Sequence, residues 1–231
     1  MLVVIDPGHG GRDPGTVSSK GDLEKDQVLQ IACIVKDLEP GFQHEVRFYL
    51  TRTGDWDLSL EARASLANRL RADYFISLHQ NSDPLRKGRG IEVFVLAPGG
   101  EGERLGRVIL QKLVTRTGLV NRGLKFAGFT VLRQTSMPAV LCECGFLGTP
   151  EEAQIVTSPL FHQQAGLAIC EGLAEHLRIS FHPPTVWDPA AEIEKLHQSG
   201  LIVSPHKPDE PVNWGEFATV LNRILARHSK S

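Results

Sequence analysis

The stretch LVVIDPGHGGRDPGT, residues 2–16, determines how the rest of the sequence is interpreted. Its apolar run LVVID is typical of a buried β-strand, and a glycine-rich loop with His9 at its centre follows directly. The loop fits neither common phosphate-binding pattern, because Asp13 stands where G-x-G-x-x-G requires Gly, and a P-loop requires Lys directly after its last glycine. The glycines instead predict a sharp turn at the end of a strand, with His9 projecting from the edge of a sheet.

The composition is that of an ordinary globular protein, with 231 residues of which 41% are hydrophobic and 23% are charged. A net charge of −2 gives no reason to expect nucleic acid as a partner. No apolar run approaches the length of a membrane span, so membrane insertion is not expected. Met1 is followed at once by the first strand, which predicts synthesis in the cytoplasm without a signal peptide, or a chain whose leader is missing. The cysteines lie in periodic apolar segments and are predicted to be reduced core residues: Cys33, Cys142, Cys144 and Cys170.

Strand and helix patterns alternate along the chain as far as about residue 178. This alternation predicts an α/β fold with a mostly parallel, mixed sheet flanked by helices on both faces. Ligands of such sheets bind beyond the carboxyl ends of the strands. The predicted strands are 2–6, 45–52, 73–82, 90–97, 129–135 and 138–147, and the predicted helices are 25–39, 58–72, 102–118 and 158–178.

A change of composition after the last of these helices predicts three regions. Residues 1–178 form the main domain, residues 179–191 form a proline-containing linker, and residues 192–231 form a small helical C-terminal region. Two short helices around a proline-rich loop hardly suffice for a core of their own. The C-terminal region is therefore predicted to dock on the main domain or on a second copy of the chain, as a homodimer.

Four titratable residues fall at or near predicted strand ends or helix starts: His9, Glu24, His79 and Glu143. Each has a structural interpretation when taken alone; Glu24, for example, lies near a helix N-terminus, where the helix dipole favours a carboxylate. Glu143 stands between apolar neighbours, where an unpaired carboxylate is costly.

Taken together, these residue types match the chemistry of a zinc hydrolase. Two imidazoles and one carboxylate are the ligand set of a catalytic zinc site that keeps its fourth position for water. Such a hydrolase also needs a carboxylate off the metal as general base. Because the ligands are spread along the chain, their spacing alone leaves the structural interpretation open.

Six motifs occur in a family-specific order: VVIDPGHGGRDPG, GDLEKDQVLQIA, LTRTGD, LEARASLAN, YFISLHQNS and VLCECGFLGTPEE. They resemble the zinc-dependent N-acetylmuramoyl-L-alanine amidases of the amidase-3 class, and the resemblance covers residues 1–178. It implies that His9, Glu24 and His79 bind Zn²⁺ and that Glu143 is the catalytic glutamate. The implied substrate is peptidoglycan, cleaved at the amide between the lactyl group of N-acetylmuramic acid and L-alanine.

Other polar residues of these motifs receive supporting roles. Arg63 and Asn68 are predicted to be structural, bonding to the loop after Arg52, and Glu92 is also predicted to be structural. Asn81, two residues after His79, is predicted either to orient a ligand or to bind the substrate.

Two other functions use the same residues. A zinc peptidase cutting within the stem peptide needs the same metal chemistry, and a non-catalytic wall-binding module needs only a structural metal. The absence of a leader and the late C-terminal appendage together favour a phage or prophage endolysin, released through a holin, with a bacterial autolysin, such as one used in sporulation, as the alternative. Either enzyme acts on the cell wall.

Two further expectations come from the resemblance. Inactive members of the family carry a long helical insertion after the second histidine, whereas only DPLRKGRG, residues 83–90, precedes the next predicted strand here. The chain is therefore predicted not to be autoinhibited by such a helix. Residues 192–231 weakly resemble one S-layer-homology unit, which makes cell-wall binding the alternative to dimerisation.

Overall fold

The computed structural model describes residues 1–183, 189–202 and 214–228. The chain divides into two compact units, Met1–Pro184 and Thr185–Ser231. Part of the predicted linker and the loop between the last two helices lie outside the described residues. The functional division into a catalytic domain, a linker and a wall-binding or dimerising region stays a prediction.

Unit one is built on a six-stranded sheet with the order β2-β1-β3-β6-β4-β5. Strands β1, β2, β3 and β6 are mutually parallel, whereas β4 pairs antiparallel with β6 and parallel with β5. The predicted mixed, mostly parallel sheet is confirmed. The strands are β1 Leu2–Pro7, β2 Arg47–Leu50, β3 Tyr74–Asn81, β4 Ile91–Val95, β5 Asn121–Phe126 and β6 Ala139–Phe146.

Helices cover both faces of this sheet, as predicted. The last helix of the unit begins where Ser158 accepts a hydrogen bond from the backbone N–H of Phe161, and the third ends at Gly118 in the left-handed conformation. The helices are α1 Glu24–Asp37, α2 Leu60–Arg69, α3 Glu101–Thr117, α4 Thr130–Gln134, α5 Pro150–Val156 and α6 Pro159–Leu177, with a 3₁₀ turn at Glu39–Phe42.

Alternation along the strands divides the core into two clusters. Ile5, Ile76 and Cys142 pack under α1, α3 and α6, whereas Val4 and Phe75 pack on the opposite face with α2 and α4. The second face also carries the polar side chains that alternate with the larger core, including His79 and Glu143. The larger core thus covers one face of the sheet, and the second face remains available for a site.

Three local predictions differ from the structure. Residues 129–135, predicted as a strand, contain α4, a helix of one turn whose adjacent apolar residues Val131 and Leu132 show no helical period. The sequence pattern also failed to predict two elements. One is β5, an edge strand with the polar sequence NRGLKF, and the other is the short helix α5. In each case tertiary packing, not local pattern, selects the conformation.

The four cysteines are free thiols, as predicted. Cys142, Cys144 and Cys170 are fully buried, and Cys33 is half-buried. Cys142 and Cys144 belong to the larger core, on the face opposite Glu143, and burial raises the pKa of both thiols.

Unit two contains α7 Pro189–Gln198 and α8 Trp214–His228, close to the predicted helices. Arg223 donates a hydrogen bond to the carbonyl oxygen of Leu201, which links the two helical segments. Across the described ranges of both units, no helix combines the length and the apolar character needed to cross a bilayer.

Candidate metal centre

Three predicted ligands meet at the edge of the sheet where β1 and β3 end. His9 lies in the loop after β1, Glu24 is the first residue of α1, and His79 lies near the end of β3. Glu24 Oε1 is 3.0 Å from His9 Nε2 and 3.0 Å from His79 Nδ1, and the two ring nitrogens are 3.1 Å apart. Two nitrogens and one oxygen thus form a nearly equilateral triangle that could hold a metal ion.

Two of these side chains, those of His9 and Glu24, are oriented by further hydrogen bonds. His9 Nδ1 lies 2.8 Å from Asp13 Oδ2, which fixes the ring with Nε2 toward the triangle. Glu24 Oε1 accepts a hydrogen bond from the backbone N–H of Gln80, and Oε2 accepts one from Thr16. Such outer contacts are the usual means of holding metal ligands in place.

The three groups of the triangle shift one another's pKa values. Burial favours the neutral form of Glu24, but hydrogen bonds with His79 and His9 outweigh it and hold the pKa of this carboxyl well below its ordinary value. Burial alone lowers the pKa of His9, but Glu24 and Asp13 raise it to about 9. The pKa of His79 is also raised, against burial, chiefly by its hydrogen bond to Glu24. The negative charge of Glu24 therefore favours the protonated form of both imidazoles.

Two buried arginines hold the loop that carries His9. Arg52 donates to the carbonyl oxygens of Pro7, Gly8 and Lys25 at 2.7–3.0 Å. Arg63 donates to the carbonyl oxygen of His9 at 2.6 Å. His9 itself has a φ of 60°, a left-handed conformation that few non-glycine residues adopt without support from their surroundings.

Glycines of the loop allow the ligands to approach one another. A Cβ added at Gly8 would lie 2.3 Å from the ring of His79, and one added at Gly15 would lie 2.6 Å from Glu24 Oε2. The glycine-rich loop predicted to be a sharp turn is therefore also packed against two ligand side chains.

Glu143 lies beside the triangle on the next strand of the sheet. In the β3–β6 register its Cα pairs with that of His79, and in the β6–β4 register it pairs with Glu92. Its Oε2 atom is buried and receives no hydrogen bond from the residues that the structure describes. Burial raises the pKa of Glu143 to about 7. A carboxyl group with this pKa can accept and return a proton at neutral pH.

A cleft of about 860 Å³ opens over these groups. His9, Glu24, His79, Asn81 and Glu143 all line it, so every predicted site residue faces one cavity. The amino-terminal ends of α2 and α4 contribute the apolar side chains of Leu60 and Phe129 to its lining.

The supporting residues follow the predictions in part. Arg63 is structural and bonds to Leu58, in the loop between Arg52 and α2. Asn68 is also structural, but the partner predicted for it is wrong: it bonds to Gln134 and Ser136, because its position on α2 faces the end of α4.

Asn81 and Glu92 form a pair. Asn81 Nδ2 donates to Glu92 Oε1 at 2.7 Å, and Asn81 Oδ1 accepts from the backbone N–H of Ser82. The sequence analysis gave no role to Asp13 or Arg52, although an arginine as the last residue of a predicted strand was a signal for a guanidinium near the strand ends.

Comparison with known proteins identifies the family. The family model described as N-acetylmuramoyl-L-alanine amidase matches residues 3–175. The chain belongs to the N-acetylmuramoyl-L-alanine amidase family. The resemblance based on the six motifs is confirmed, and with it the enzyme class.

Among its relatives, an endolysin of Bacillus phage SPP1 is 36% identical over 182 residues, which cover 77% of this chain and 66% of that protein. The sporulation-specific N-acetylmuramoyl-L-alanine amidase of Bacillus subtilis is 34% identical and covers 76% of this chain and 68% of that protein. The chain thus spans about two thirds of the length of these relatives.

Solved structures of amidases have the same fold. The N-acetylmuramoyl-L-alanine amidase of Clostridium difficile 630 superposes with a TM-score of 0.73 at 36% identity, covering 77% of this chain and 96% of that one. The catalytic domain of CwlV from Bacillus (Paenibacillus) polymyxa gives a TM-score of 0.73 at 32% identity, covering 78% and 99%. The predicted fold class is confirmed by both comparisons.

Proposed function

We propose that this amidase hydrolyses the bond between the lactyl group of N-acetylmuramic acid and the L-alanine of peptidoglycan, using zinc bound by His9, Glu24 and His79. The observation that carries the proposal is the position of Glu143. Its carboxylate is buried, has a free oxygen among the described residues, and stands in register with His79 at the floor of the cleft.

Zinc fits the donor set. Catalytic zinc sites combine histidine nitrogens with a carboxylate and keep one position open. At bond lengths of 2.0–2.1 Å, ligand atoms of a tetrahedral ion are roughly 3.3 Å apart. The donor atoms of His9, Glu24 and His79 are 3.0–3.1 Å apart, so small side-chain shifts suffice to admit the ion.

The chain's own groups then divide the work of hydrolysis. Zinc held by His9, Glu24 and His79 would supply a Lewis acid for the scissile carbonyl and would lower the pKa of a water molecule to about 7. Glu143 accepts the proton of the attacking water and delivers it to the nitrogen of the departing L-alanine. Its pKa of about 7 suits both transfers, since the group must be a base first and an acid afterwards.

Asn81 is proposed to bind the substrate. Its amide lines the cleft and uses one donor toward Glu92 and one acceptor site toward Ser82. A side-chain amide has two hydrogens and two lone pairs, so one donor and one acceptor site remain for a peptide group of the substrate.

Product analysis tests the reaction. The zinc-loaded protein is incubated with purified peptidoglycan, and the released peptides are identified by mass spectrometry. Free stem peptides that begin with L-alanine are expected. Fragments cut inside the stem peptide would instead support the zinc peptidase, and the absence of any release would support a non-catalytic wall-binding module.

Substitution tests the role of Glu143. Glu143→Gln is expected to lower the rate by roughly 10²–10⁴-fold while zinc content stays at one ion, because the general base is lost but the ligands remain. Glu175→Gln, at a surface ion pair with Lys112, serves as the control and is expected to keep full activity. An unchanged rate for Glu143→Gln would remove Glu143 from the mechanism.

We further propose that the protein acts on the cell wall. Its relatives include a phage endolysin and a sporulation-specific amidase, the two settings predicted from the sequence. Purified zinc-loaded protein is expected to solubilise isolated bacterial cell walls, measured as a loss of turbidity. Walls that stay turbid would contradict action on the cell wall.

A further inference from the structure

A second cluster of charges adjoins the metal centre and has no part in the mechanism above. Glu92, near the start of β4, is buried, with 4% of its surface exposed. Its Oε2 atom accepts hydrogen bonds from Arg122 Nε at 2.8 Å and from Lys125 Nζ. Among the described residues, neither cation has another carboxylate within ion-pair distance. One buried negative charge therefore holds two positive charges, and one positive charge is in excess.

Both cations are fixed in place but remain accessible. The Arg122 guanidinium lies 4.7 Å from the ring centroid of Phe146, and Lys125 Nζ lies 5.7 Å from that of Phe94. About a third or more of each cationic side chain is exposed, 35% for Arg122 and 40% for Lys125. Cations held by a buried partner and an aromatic face lose little conformational entropy when they bind a ligand.

The cluster adjoins the lining of the catalytic cleft through two side chains. Asn81 lines the cleft and donates to Glu92, and Phe129 lines the cleft and packs on Phe94 with ring centroids 5.1 Å apart. Glu92 on β4 is in register with Glu143 on β6, and β5, which carries both cations, is the next strand. Two strand spacings separate β6 from β5, which is roughly 10 Å.

We propose that Arg122 and Lys125 form a subsite that binds a carboxylate of the peptide on the leaving side of the scissile amide. The inference rests on the proposed function, which places the scissile bond beside Glu143. An extended peptide advances roughly 3.3–3.6 Å per residue, so a distance of roughly 10 Å reaches the second or third residue of the peptide. The ligand is thus an acidic peptide with a free carboxylate at that distance.

The charges of the neighbouring loop support this assignment. In residues 82–90, Arg86 and Lys87 have no ion-pair partner among the described residues, whereas Arg89 pairs with Glu151 at 3.3 Å and Asp83 is the single acid of the loop. The loop adjoins the cluster, because Arg122 also donates to the carbonyl oxygen of Arg89 and Ser82 lines the cleft. This side of the cleft therefore attracts anions.

An anionic wall polymer is the other ligand of matching charge. The buried, shared Glu92 and the fixed distance from Glu143 favour the peptide, since they hold two cations at one defined point. Recognition of a long polyanion needs only exposed charge spread along a surface.

Kinetics on paired substrates test the proposal. The substrates are a muramoyl-peptide fragment with free carboxylates and the same fragment with the carboxylates converted to carboxamides. The wild-type enzyme is expected to show a lower KM for the acid than for the amide. Arg122→Gln and Lys125→Gln are each expected to raise the KM for the acid roughly ten-fold, with kcat and the KM for the amide unchanged.

Control variants separate charge recognition from damage to the fold. Lys125→Arg keeps the charge and is expected to restore the low KM for the acid. Lys112→Gln removes a half-exposed lysine on α3, on the opposite face of the sheet, and is expected to change neither substrate's KM. A thermal melt of each variant shows whether the loss of a cation beside the buried Glu92 has lowered the stability of the protein. Binding of the released acidic peptide, measured by calorimetry, is expected to weaken in parallel with the KM.

The possible outcomes distinguish this inference from the proposed function. Equal KM values of the wild-type enzyme for acid and amide would overturn the subsite while leaving the amidase reaction intact. Failure of the wild-type enzyme to release peptide from either fragment would instead refute the proposed function. Unchanged fragment kinetics together with weaker binding to polyanion-bearing walls would assign the cluster to the polymer and overturn the peptide subsite.

Discussion

The guanidinium of Arg63 lies 2.6 Å from the carbonyl oxygen of His9, so a buried cation on α2 bonds directly to the backbone of a proposed zinc ligand. The same guanidinium pairs with Asp6 at 2.8 Å, and Asp6 also accepts hydrogen bonds from Thr51 and Ser77. The end of β1 and the loop after it are therefore fixed by one buried ion pair.

Removal of this cation is expected to damage both stability and metal binding. Arg63→Met leaves Asp6 buried without its charge partner, which costs about 3–5 kcal/mol of unfolding free energy. Zinc affinity is expected to fall about 10–100-fold, as for other residues that orient a ligand. Urea denaturation measures the first effect and competition with a chelator measures the second.

Arg107→Met is the matched control, because Arg107 forms an exposed ion pair with Glu103 within α3. It is expected to change stability little and zinc affinity not at all. If both variants behaved alike, the ion pair of Arg63 with Asp6 would contribute no more to stability than a surface ion pair, and the loop would be held by other contacts.

Gly8→Ala is expected to abolish tight zinc binding while the protein still folds. The added methyl group would lie 2.3 Å from the His79 ring and must displace it. Gly100→Ala is the control, because Gly100 has a φ of −100° and no atom within 4 Å of an added Cβ. Metal content after dialysis, with a circular dichroism spectrum of each variant, provides the measurement. Full zinc occupancy in Gly8→Ala would show that His79 is not a ligand.

Zinc binding at pH 7 is expected to release roughly one to two protons, since ligating imidazoles must be neutral. The pKa of His9 is about 9, so this ring holds a proton at pH 7, and the hydrogen bond to Glu24 raises the pKa of His79 as well. Calorimetric titration in buffers of different ionisation enthalpy counts these protons. The apparent zinc affinity should therefore increase from pH 6 to pH 9, and a pH-independent affinity would contradict the assignment of His9.

The same pKa values predict how pH changes the stability of the metal-free protein. The folded pKa of His9 is above its ordinary 6.5, so the stabilisation from its pairing with Glu24 is complete below pH 6.5 and disappears as the pH rises through about 9. The folded pKa of Glu24 is below its ordinary 4.5, so its contribution is present above pH 4.5 and declines in acid. Urea midpoints of metal-free protein should consequently decrease between pH 6.5 and pH 9. Stability that increased over this interval would contradict the paired geometry.

Activity is expected to need no activator. Residues 82–90 connect β3 to β4 by a loop that contains no helix, and only Ser82 of this segment lines the cleft. Purified zinc-loaded protein should therefore digest bare sacculi at its full rate. A strict requirement for a second protein would show that the cleft is closed by another device.

Much of this architecture follows from local sequence pattern. The first strand, the helix that begins with Glu24 and the strand that carries His79 were each predicted within a few residues, because their apolar periods are long and uninterrupted. The one-turn helix α4 was taken for a strand, since five residues are too few to display a period.

The candidate site was also predictable only in part. His9, Glu24, His79 and Glu143 were singled out by residue type and by their places at strand ends and helix starts. The buried guanidiniums of Arg52 and Arg63 and the shared carboxylate of Glu92 depend on contacts between segments far apart in the chain. Such contacts leave no periodic trace in a single sequence, so only the three-dimensional structure places them.

The two thiols that flank Glu143 have a chemical consequence for the centre. Cys142 and Cys144 are buried on the opposite face of the sheet with raised pKa values, so they remain protonated and unreactive. All three proposed donors are nitrogen or oxygen atoms. Peroxides and disulfide reagents therefore find no thiolate to modify at this centre.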